Sequence, residues 1–510
     1  MNVKAMKARL FVPLFLLSIL LLSCQSRKDS GASSGPASSR EDVPGPVCLH
    51  EGNPRYLEYK GKPVILITSA EHYGAVLNLD FDYRLYLETL AGEGFNYTRI
   101  FAGSYLEPVD NIFGIRKNTL APLPGSYMAP WVRENGKYDL ERFNPDYFSR
   151  LKDFVRYAGE HGIIVEVTLF SSIYHETAWV LCPFNARNNV NGVGDVPFKK
   201  VNTLDNGGLL KYQEAFVREV VRELNGFDNF FFEIQNEPWA DNGRLAGTVD
   251  QDKEIFGRPW QQKVEVANEE ALRWQAHVAR TIRDEETRLD KRHLIAQNIC
   301  NFQHELEVKP EGVSIMNFHY ANPAAVTANL DLGGMIGLDE TGFMPHADSL
   351  YIDQAWRIIL SGAGLYNNLD YSFTAGHEAG DWPIPESNPG WGGPAFRKKL
   401  GILVETVNSV PFHEMGYSGS IIRQGNPGMR QHGLLKEGLG YLVFLEGLDG
   451  SPLVPAVPPG TYRVTWIDVD SGEKRSASFS PGDGSSITPP FPSTRATLLI
   501  RPESTNPPIP

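Results

Sequence analysis

The sequence is poor in cysteine, with 4 in 510 residues, at positions 24, 48, 182 and 300. That excludes a disulfide scaffold and leaves stability to a large core. Apart from Cys24, the remaining Cys48, Cys182 and Cys300 allow at most one internal disulfide, and their spacing does not choose the pair. Positive charge is also short. Lys+Arg number 48 against 61 Asp+Glu, a net charge of −13, and an acidic chain repels phosphate backbones, so no nucleic-acid partner is expected. No apolar run of about 18 residues or more follows the N-terminus, which excludes a polytopic membrane protein. The sequence lacks a His-Glu-x-x-His helix, clustered Cys/His, a calcium loop and a phosphate-cradling glycine loop, so no catalytic metal and no cofactor is expected. Gly416 to Ser420 falls one residue short of a nucleophile elbow, and no solenoid or propeller repeat is evident. What is present is ordinary globular composition, 42% hydrophobic, 21% charged and 11% aromatic, at a length that suits one large domain with a small companion.

The first residues read as an export signal. Lys4, Lys7 and Arg9 precede a short apolar stretch, Leu10 to Leu22, that ends in Leu21-Leu22-Ser23-Cys24. This resembles the lipobox of bacterial lipoproteins, which implies lipidation at Cys24 and a lipid-anchored place in the bacterial cell envelope, at the outer membrane or cell surface. A plain signal peptide cut near Ser23 is the alternative. Residues 25–47 are rich in Ser, Gly and Pro and read as a tether, with a reach of roughly 25–30 Å.

From residue 48 to 410, short apolar runs alternate with amphipathic helical stretches. The runs are Val64–Thr68, Tyr97–Phe101, Ile163–Phe170, Phe230–Gln235, Leu294–Asn298, Val313–Phe318, Met335–Leu338 and Gly364–Leu369. Continuous apolar runs of this length suit strands buried on both faces. Arg55 to Tyr59, a Lys-Gly turn and Pro63 to Thr68 are expected to form a hairpin leading into a buried strand. Helices are expected over 82–92, 147–161, 209–224, 262–287, 349–360 and 395–408, with Asn144-Pro145 as cap and first turn of the second. The helix after the fifth strand is poorly marked. The pattern predicts an α/β fold, a (β/α)8 TIM barrel, with a doubly wound sheet as the structural alternative. After Pro411 the helical period stops. Short alternating strands between Gly, Pro and Asp turns predict a small antiparallel β-sandwich over 411–504, with 505–510 as a tail and Trp466 in its core.

In a barrel, catalytic side chains come from the C-terminal ends of strands. The fourth strand ends Asn236-Glu237-Pro238-Trp239 and the seventh ends Leu338-Asp339-Glu340-Thr341. Each places a carboxylate where a buried strand opens into a loop. Two facing carboxylates suit glycosidic-bond cleavage: one gives a proton to the leaving oxygen while the other stays ionised to attack or stabilise the anomeric carbon. Strand alternation points Asp339 and Glu340 in opposite directions and so makes Asp339 the rival of Glu340. Trp131, Trp179, Trp239, Trp382 and Trp391 fall in loops on the same side, where flat aromatic faces can stack on sugars.

At these residues the chain resembles the retaining β-glycosidases of clan A, especially glycoside hydrolase family 5 and its relatives. The resemblance covers roughly residues 50 to 410. It implies Glu237 as acid/base, Glu340 as nucleophile, Asn236 as a contact to the sugar 2-hydroxyl and Arg99 as support for the nucleophile. His319 and Tyr320 resemble the His and Tyr of the sixth strand, but they are adjacent where the family has one residue between them, so which faces inward is left open. The family's eighth-strand tryptophan is missing, and Trp382 is its candidate replacement. His72 and Tyr73, with Glu71, follow the first strand and either line the sugar site or order a loop. The resemblance implies hydrolysis of β-glycosidic bonds in an oligo- or polysaccharide, with two carboxyl groups about 5–5.5 Å apart. The rival reading is a glycan-binding lipoprotein that has kept the fold without the activity.

Overall fold

The computed structural model describes residues 45–109, 113–115 and 120–503. The export signal and Cys24 lie outside the described residues. Eight parallel strands form a nearly closed barrel: β1 (Leu66–Ala70), β2 (Tyr97–Phe101), β3 (Ile164–Ser171), β4 (Phe230–Asn236), β5 (Ile295–Asn301), β6 (Ile315–His319), β7 (Met335–Glu340) and β8 (Leu365–Leu369). Their order around the wall is β1-β8-β7-β6-β5-β4-β3-β2, so from β2 to β8 each strand pairs with the next in sequence, β8 pairs with β1, and the doubly wound alternative is excluded. All eight are buried along their whole length, which is why they read as continuous apolar runs.

No backbone ladder joins β1 to β2. The Asn96 side chain spans the gap: its Oδ1 accepts from Ile67 N at 3.2 Å and its Nδ2 donates to the Ile65 carbonyl at 2.8 Å. The bottom of the barrel is sealed by a three-stranded sheet of Cys48–Leu49, Leu57–Tyr59 and Lys62–Val64. Val47 and Leu57 pack there against the first residues of the barrel strands, among them Leu66, Tyr97, Ile164 and Leu365. The expected hairpin is real but ends at Val64, and its turn needs positive φ at both Lys60 (52°) and Gly61 (70°), the geometry of a tight two-residue hairpin. The first barrel strand is a separate element that leaves after Ile65.

The long outer helices are α1 (Tyr83–Gly92), α2 (Pro145–Glu160), α3 (Leu210–Leu224), α4 (Glu269–Glu286), α5 (Asp348–Leu360) and α6 (Pro394–Asn408). Asn144 caps α2 by accepting from Asp146 N at 3.1 Å, with Pro145 in the first turn. No helix follows β5. The helix expected over 262–287 is divided. Lys263–Ala267 is a strand paired with Gly243–Thr248, because Val264 and Val266 alternate with polar neighbours; Asn268 then caps α4, accepting from Ala271 N at 3.1 Å.

The C-terminal domain is a six-stranded antiparallel sheet with strands β9 (Gly416–Ser418), β10 (Arg430–Lys436), β11 (Gly440–Glu446), β12 (Tyr462–Ile467), β13 (Lys474–Phe479) and β14 (Arg495–Pro502). A ribbon of Ile422–Gln424 and Val454–Pro455 accompanies it, and Ile422 joins Val443, Trp466 and Leu498 in one core. The other face lies on α5, where Trp356 stacks on Phe444 with ring centroids 5.8 Å apart and Arg357 Nε donates to Glu446 at 2.8 Å.

Candidate active site

The barrel interior holds an ionic layer beneath its mouth. Arg99, in the middle of β2, is fully buried. Its Nε and Nη2 donate to the two oxygens of Glu233 at 2.7 and 2.6 Å, a bidentate pair, and Nη2 also reaches Asn236 Oδ1 at 2.8 Å. Nη1 donates to Glu340 Oε2 at 3.2 Å, and Asp339 Oδ2 lies 3.5 Å from Nη2. One guanidinium therefore fixes groups from β4 and β7 at once. Below it, burial pushes the Glu166 carboxyl well above its usual range, reinforced by Glu233 and Asp339; Glu166 is held by Tyr97 and by Asn317 Nδ2 at 2.8 Å.

Two backbone departures aim the reactive side chains. Glu237 leaves β4 in the left-handed region, φ 46° and ψ 54°, and its N–H donates to Asn298 Oδ1 at 3.0 Å. A left-handed glutamate is uncommon, and such strain clusters at functional sites. The second departure lies between β6 and β7. Phe318 pairs with Leu338 but His319 pairs with Glu340, so Asp339 is the extra residue of a bulge. Tyr320 then adopts φ 51°. The bulge and this turn bring His319, Tyr320, Asp339 and Glu340 all toward the barrel axis. The question of which of His319 and Tyr320 faces inward has the answer that both do. Asp339 is wholly buried in the ionic layer, and Glu340 borders the open cavity.

Glu340 Oε1 accepts from the Tyr320 hydroxyl at 2.8 Å, and its Oε2 is 3.5 Å from His72 Nε2. Glu237 Oε1 is 2.9 Å from His319 Nδ1, and its Oε2 accepts from the Tyr174 hydroxyl at 2.9 Å. Tyr174 also accepts from Asn236 Nδ2 at 2.6 Å. A Glu237 oxygen, a His319 nitrogen and a Glu340 oxygen all lie within 4.8 Å of one another. A cation could bridge such a spacing, but each group already has protein partners, and no ligand role is assigned to them. A second trio, Glu166, Glu233 and Asp339, is equally close and surrounds the Arg99 guanidinium.

Burial raises Glu340, with His319 and Arg99 opposing and Glu237 reinforcing. Burial lowers His72 well below the usual imidazole value, helped by Arg99 and His319, so it is neutral. Burial raises Glu71 to about 8, against hydrogen bonds from Tyr73 N and Gly74 N.

Above the carboxylates is a cavity of about 590 Å³, within the range of small-molecule sites. Glu71, His72, Tyr73, Asn236, Glu237, Tyr320 and Glu340 line it. Trp382 does not: it is buried beyond the lining, and the aromatic walls are Phe101, Phe113, Tyr174, Trp239, Trp260, Phe343 and Tyr371. Among the five loop tryptophans expected on this side, only Trp239 reaches the cavity. Trp131 is buried against Phe184 and Phe216, and the Trp179 Nε1 donates to the Val196 carbonyl at 3.0 Å. Sequence reasoning missed Tyr174, Glu233 and Trp260. Glu233 had a signal, a carboxylate inside the apolar run Phe230–Gln235 that demands a buried partner. Tyr174 and Trp260 sit on long connections and had none.

No protein-family model and no curated protein matches the sequence. Solved structures match the fold. A glycoside hydrolase family 5 protein from Bacteroides vulgatus aligns over 90% of this chain and 94% of its own, with 13% identity and a TM-score of 0.58. A protein described as a putative glycoside hydrolase, from the same organism, aligns over 90% and 82%, with 12% identity and a TM-score of 0.59. A third, named only a glycoside hydrolase, aligns over 91% and 98%, with 12% identity and a TM-score of 0.59. The chain thus shares the fold of glycoside hydrolase family 5 structures, including the C-terminal domain in the aligned span.

Proposed function

We propose that this chain is a glycoside hydrolase that cleaves β-glycosidic bonds of an oligo- or polysaccharide with retention of configuration. The observation that carries the reading is the approach of Glu237 and Glu340 oxygens to within 4.8 Å at the foot of the cavity. Retaining enzymes hold the pair at about 5–5.5 Å, whereas inverting ones leave about 6.5–9.5 Å for a water. Glu340 is the nucleophile. Arg99 and Tyr320 occupy its two oxygens and hold it in line, and charge-assisted bonds of this kind favour the ionised form. Glu237 gives its proton to the departing oxygen. When Glu340 becomes a glycosyl ester its negative charge is gone, and Glu237 takes a proton from the incoming water. The Asn236 amide, fixed by Arg99 and Tyr174, presents to the sugar 2-hydroxyl.

The test is incubation with 2-fluoro aryl β-glycosides followed by peptide mass spectrometry, with Glu340→Ala and Glu237→Ala assayed on plant-polysaccharide and aryl-glycoside panels. A covalent sugar on Glu340 and loss of turnover in both variants are expected. Glycan binding without turnover by the native chain, or an inverted first product, overturns the reading. Lipidation of Cys24, and with it envelope anchoring, is a separate proposal that rests on the lipobox resemblance. Radiolabelled palmitate should enter the native chain and not Cys24→Ala.

A further inference from the structure

We propose that Asp339 and His319 form a buried proton relay behind Glu237, so that in the free enzyme the acid proton resides on His319 Nδ1, in its hydrogen bond to Glu237, and not on Glu237 alone. This rests on the glycosidase reading above and deepens it. Asp339 and His319 are positioning residues in it, because neither borders the cavity.

His319 is wholly buried, with the edge of Trp239 against its ring at 5.3 Å between centroids. Its Nε2 faces Asp339 Oδ1 at an ion-pair distance of 3.4 Å, and among the described residues neither atom has a hydrogen-bond partner. The other Asp339 oxygen takes the Asn298 amide at 3.0 Å. The same Asn298 accepts from Glu237 N, so one side chain sets the spacing between the two ends of the relay. An imidazole nitrogen sealed against a carboxylate carries a proton, because two bare acceptors facing each other in a dry interior would repel. The Nε2 proton is therefore pinned. The remaining nitrogen is 2.9 Å from Glu237 Oε1, and a single proton lies between them.

The groups facing His319 decide which side holds that proton. They are Glu237 from β4, Asp339 and Glu340 from β7, Arg99 from β2 and His72 after β1; Glu340 Oε2 is 3.7 Å from Nδ1. Three carboxylates surround the ring, and the Arg99 charge is already shared among Glu233, Asp339 and Glu340. Burial alone would lower the imidazole, yet Asp339 and Glu340 hold it well above its ordinary value. Burial would likewise raise Asp339, and His319 with Arg99 keeps it below the usual carboxylate range.

In the first displacement the proton passes from Nδ1 to Glu237 and from Glu237 to the glycosidic oxygen. The C–O bond breaks as Glu340 bonds the anomeric carbon. The imidazole is left neutral, with its Nε2 proton still facing Asp339. Water then attacks the anomeric carbon, its proton returns through Glu237 to Nδ1, and the bond from that carbon to Glu340 breaks, releasing the carboxylate.

The test compares native enzyme with Asp339→Asn and Asp339→Glu on β-glycosides whose leaving groups run from dinitrophenol to simple alcohols. General acid help matters most for poor leaving groups, so Asp339→Asn should lose about 10²-fold on alkyl glycosides and at least about tenfold less than that on the dinitrophenyl compound. Its alkaline limb in kcat/KM should move down by about one pH unit or more, and Asp339→Glu should restore part of it. Nitrogen-15 spectra of histidine-labelled native protein read the proton without turnover. One imidazolium should persist above neutral pH, disappear in His319→Gln, and titrate at lower pH in Asp339→Asn. A neutral His319 at pH 7, or equal losses on all leaving groups with an unmoved alkaline limb, overturns the relay. If the native chain cleaves no glycoside, the glycosidase reading fails while the spectra still decide where the proton lies. Thermal melting of each variant, with the native-protein spectra, keeps the result separate from misfolding.

Discussion

Replacing Arg99 by Met removes the guanidinium that binds Glu233 and Glu340 and should make stability depend on pH in a defined direction. In the native chain this wholly buried side chain makes two bonds to Glu233 and one each to Glu340, Asn236 and Thr168. Deleting one partner of a buried charge pair costs about 3–5 kcal/mol, because the remaining charge is stranded. Here several carboxylates are stranded together, but each can take a proton. Burial already raises Glu233, with Arg99 and Thr168 opposing, and burial raises Glu340 too. Without Arg99 their folded-state values rise further above the unfolded ones. A group shifted that way stabilises fully below its unfolded value and loses that contribution as pH climbs through the folded value. The deficit should therefore be about 3–5 kcal/mol at pH 7.5 and clearly smaller at pH 5. Urea unfolding followed by tryptophan fluorescence at the two pH values measures it. A deficit under about 1 kcal/mol at pH 7.5, or an equal deficit at both, refutes the reasoning. Arg99→Lys should fall between, since one ammonium cannot serve the Glu233 fork and Glu340 together.

Other outcomes follow from the same geometry. Burial raises Glu71 to about 8 in the fold against 4.5 unperturbed, so its contribution to stability falls as pH rises toward 8; Glu71→Gln should flatten the pH dependence of the unfolding free energy from urea titrations by about 1.4 kcal/mol per pH unit between pH 5 and 8. Glu237→Ala and Glu237→Gly both delete the side chain at φ 46°, and Gly should be the more stable by roughly 1 kcal/mol, the reverse of the order in an ordinary helix; equal melting curves would mean the left-handed conformation is not strained. A chain ended after Asn408 uncovers Trp356 on α5 and strands Arg357 without Glu446; it should aggregate on expression, and a soluble, cooperatively melting fragment would show that the C-terminal sheet is dispensable.

The barrel was legible because its strands are buried on both faces. Tyr97–Phe101 coincides with its predicted run, and the other seven differ only at their ends. The two carboxylates were legible for a different reason: each follows such a run directly, so chain direction alone puts it at the mouth. Strand alternation failed at β6 and β7. It demands that neighbours such as His319 and Tyr320 point apart, whereas one bulge and one left-handed residue turn both inward. Nothing in a two-residue period announces a bulge. The tryptophans failed through distance. Whether Trp382 or Trp260 meets the cavity depends on how long connections fold over the mouth, and local pattern does not reach that far. The helix expected over 262–287 failed at Val264 and Val266, where a five-residue strand fits the helical period by accident.

The seam between β1 and β2 has a mechanical consequence. Everywhere else the stave-to-stave joints are rows of main-chain bonds that fail together; here the joint is a single amide clasp at Asn96, strapped from outside by the Tyr86 hydroxyl, which meets both the Glu71 carbonyl and Thr98 Oγ1. Transient parting of the wall begins where the fewest bonds must break at once, so Ile67 should be the barrel-strand amide that exchanges earliest with heavy water. The stave beside that clasp is the one bearing Arg99, and a loosened edge there reaches the nucleophile before it reaches any other part of the mouth.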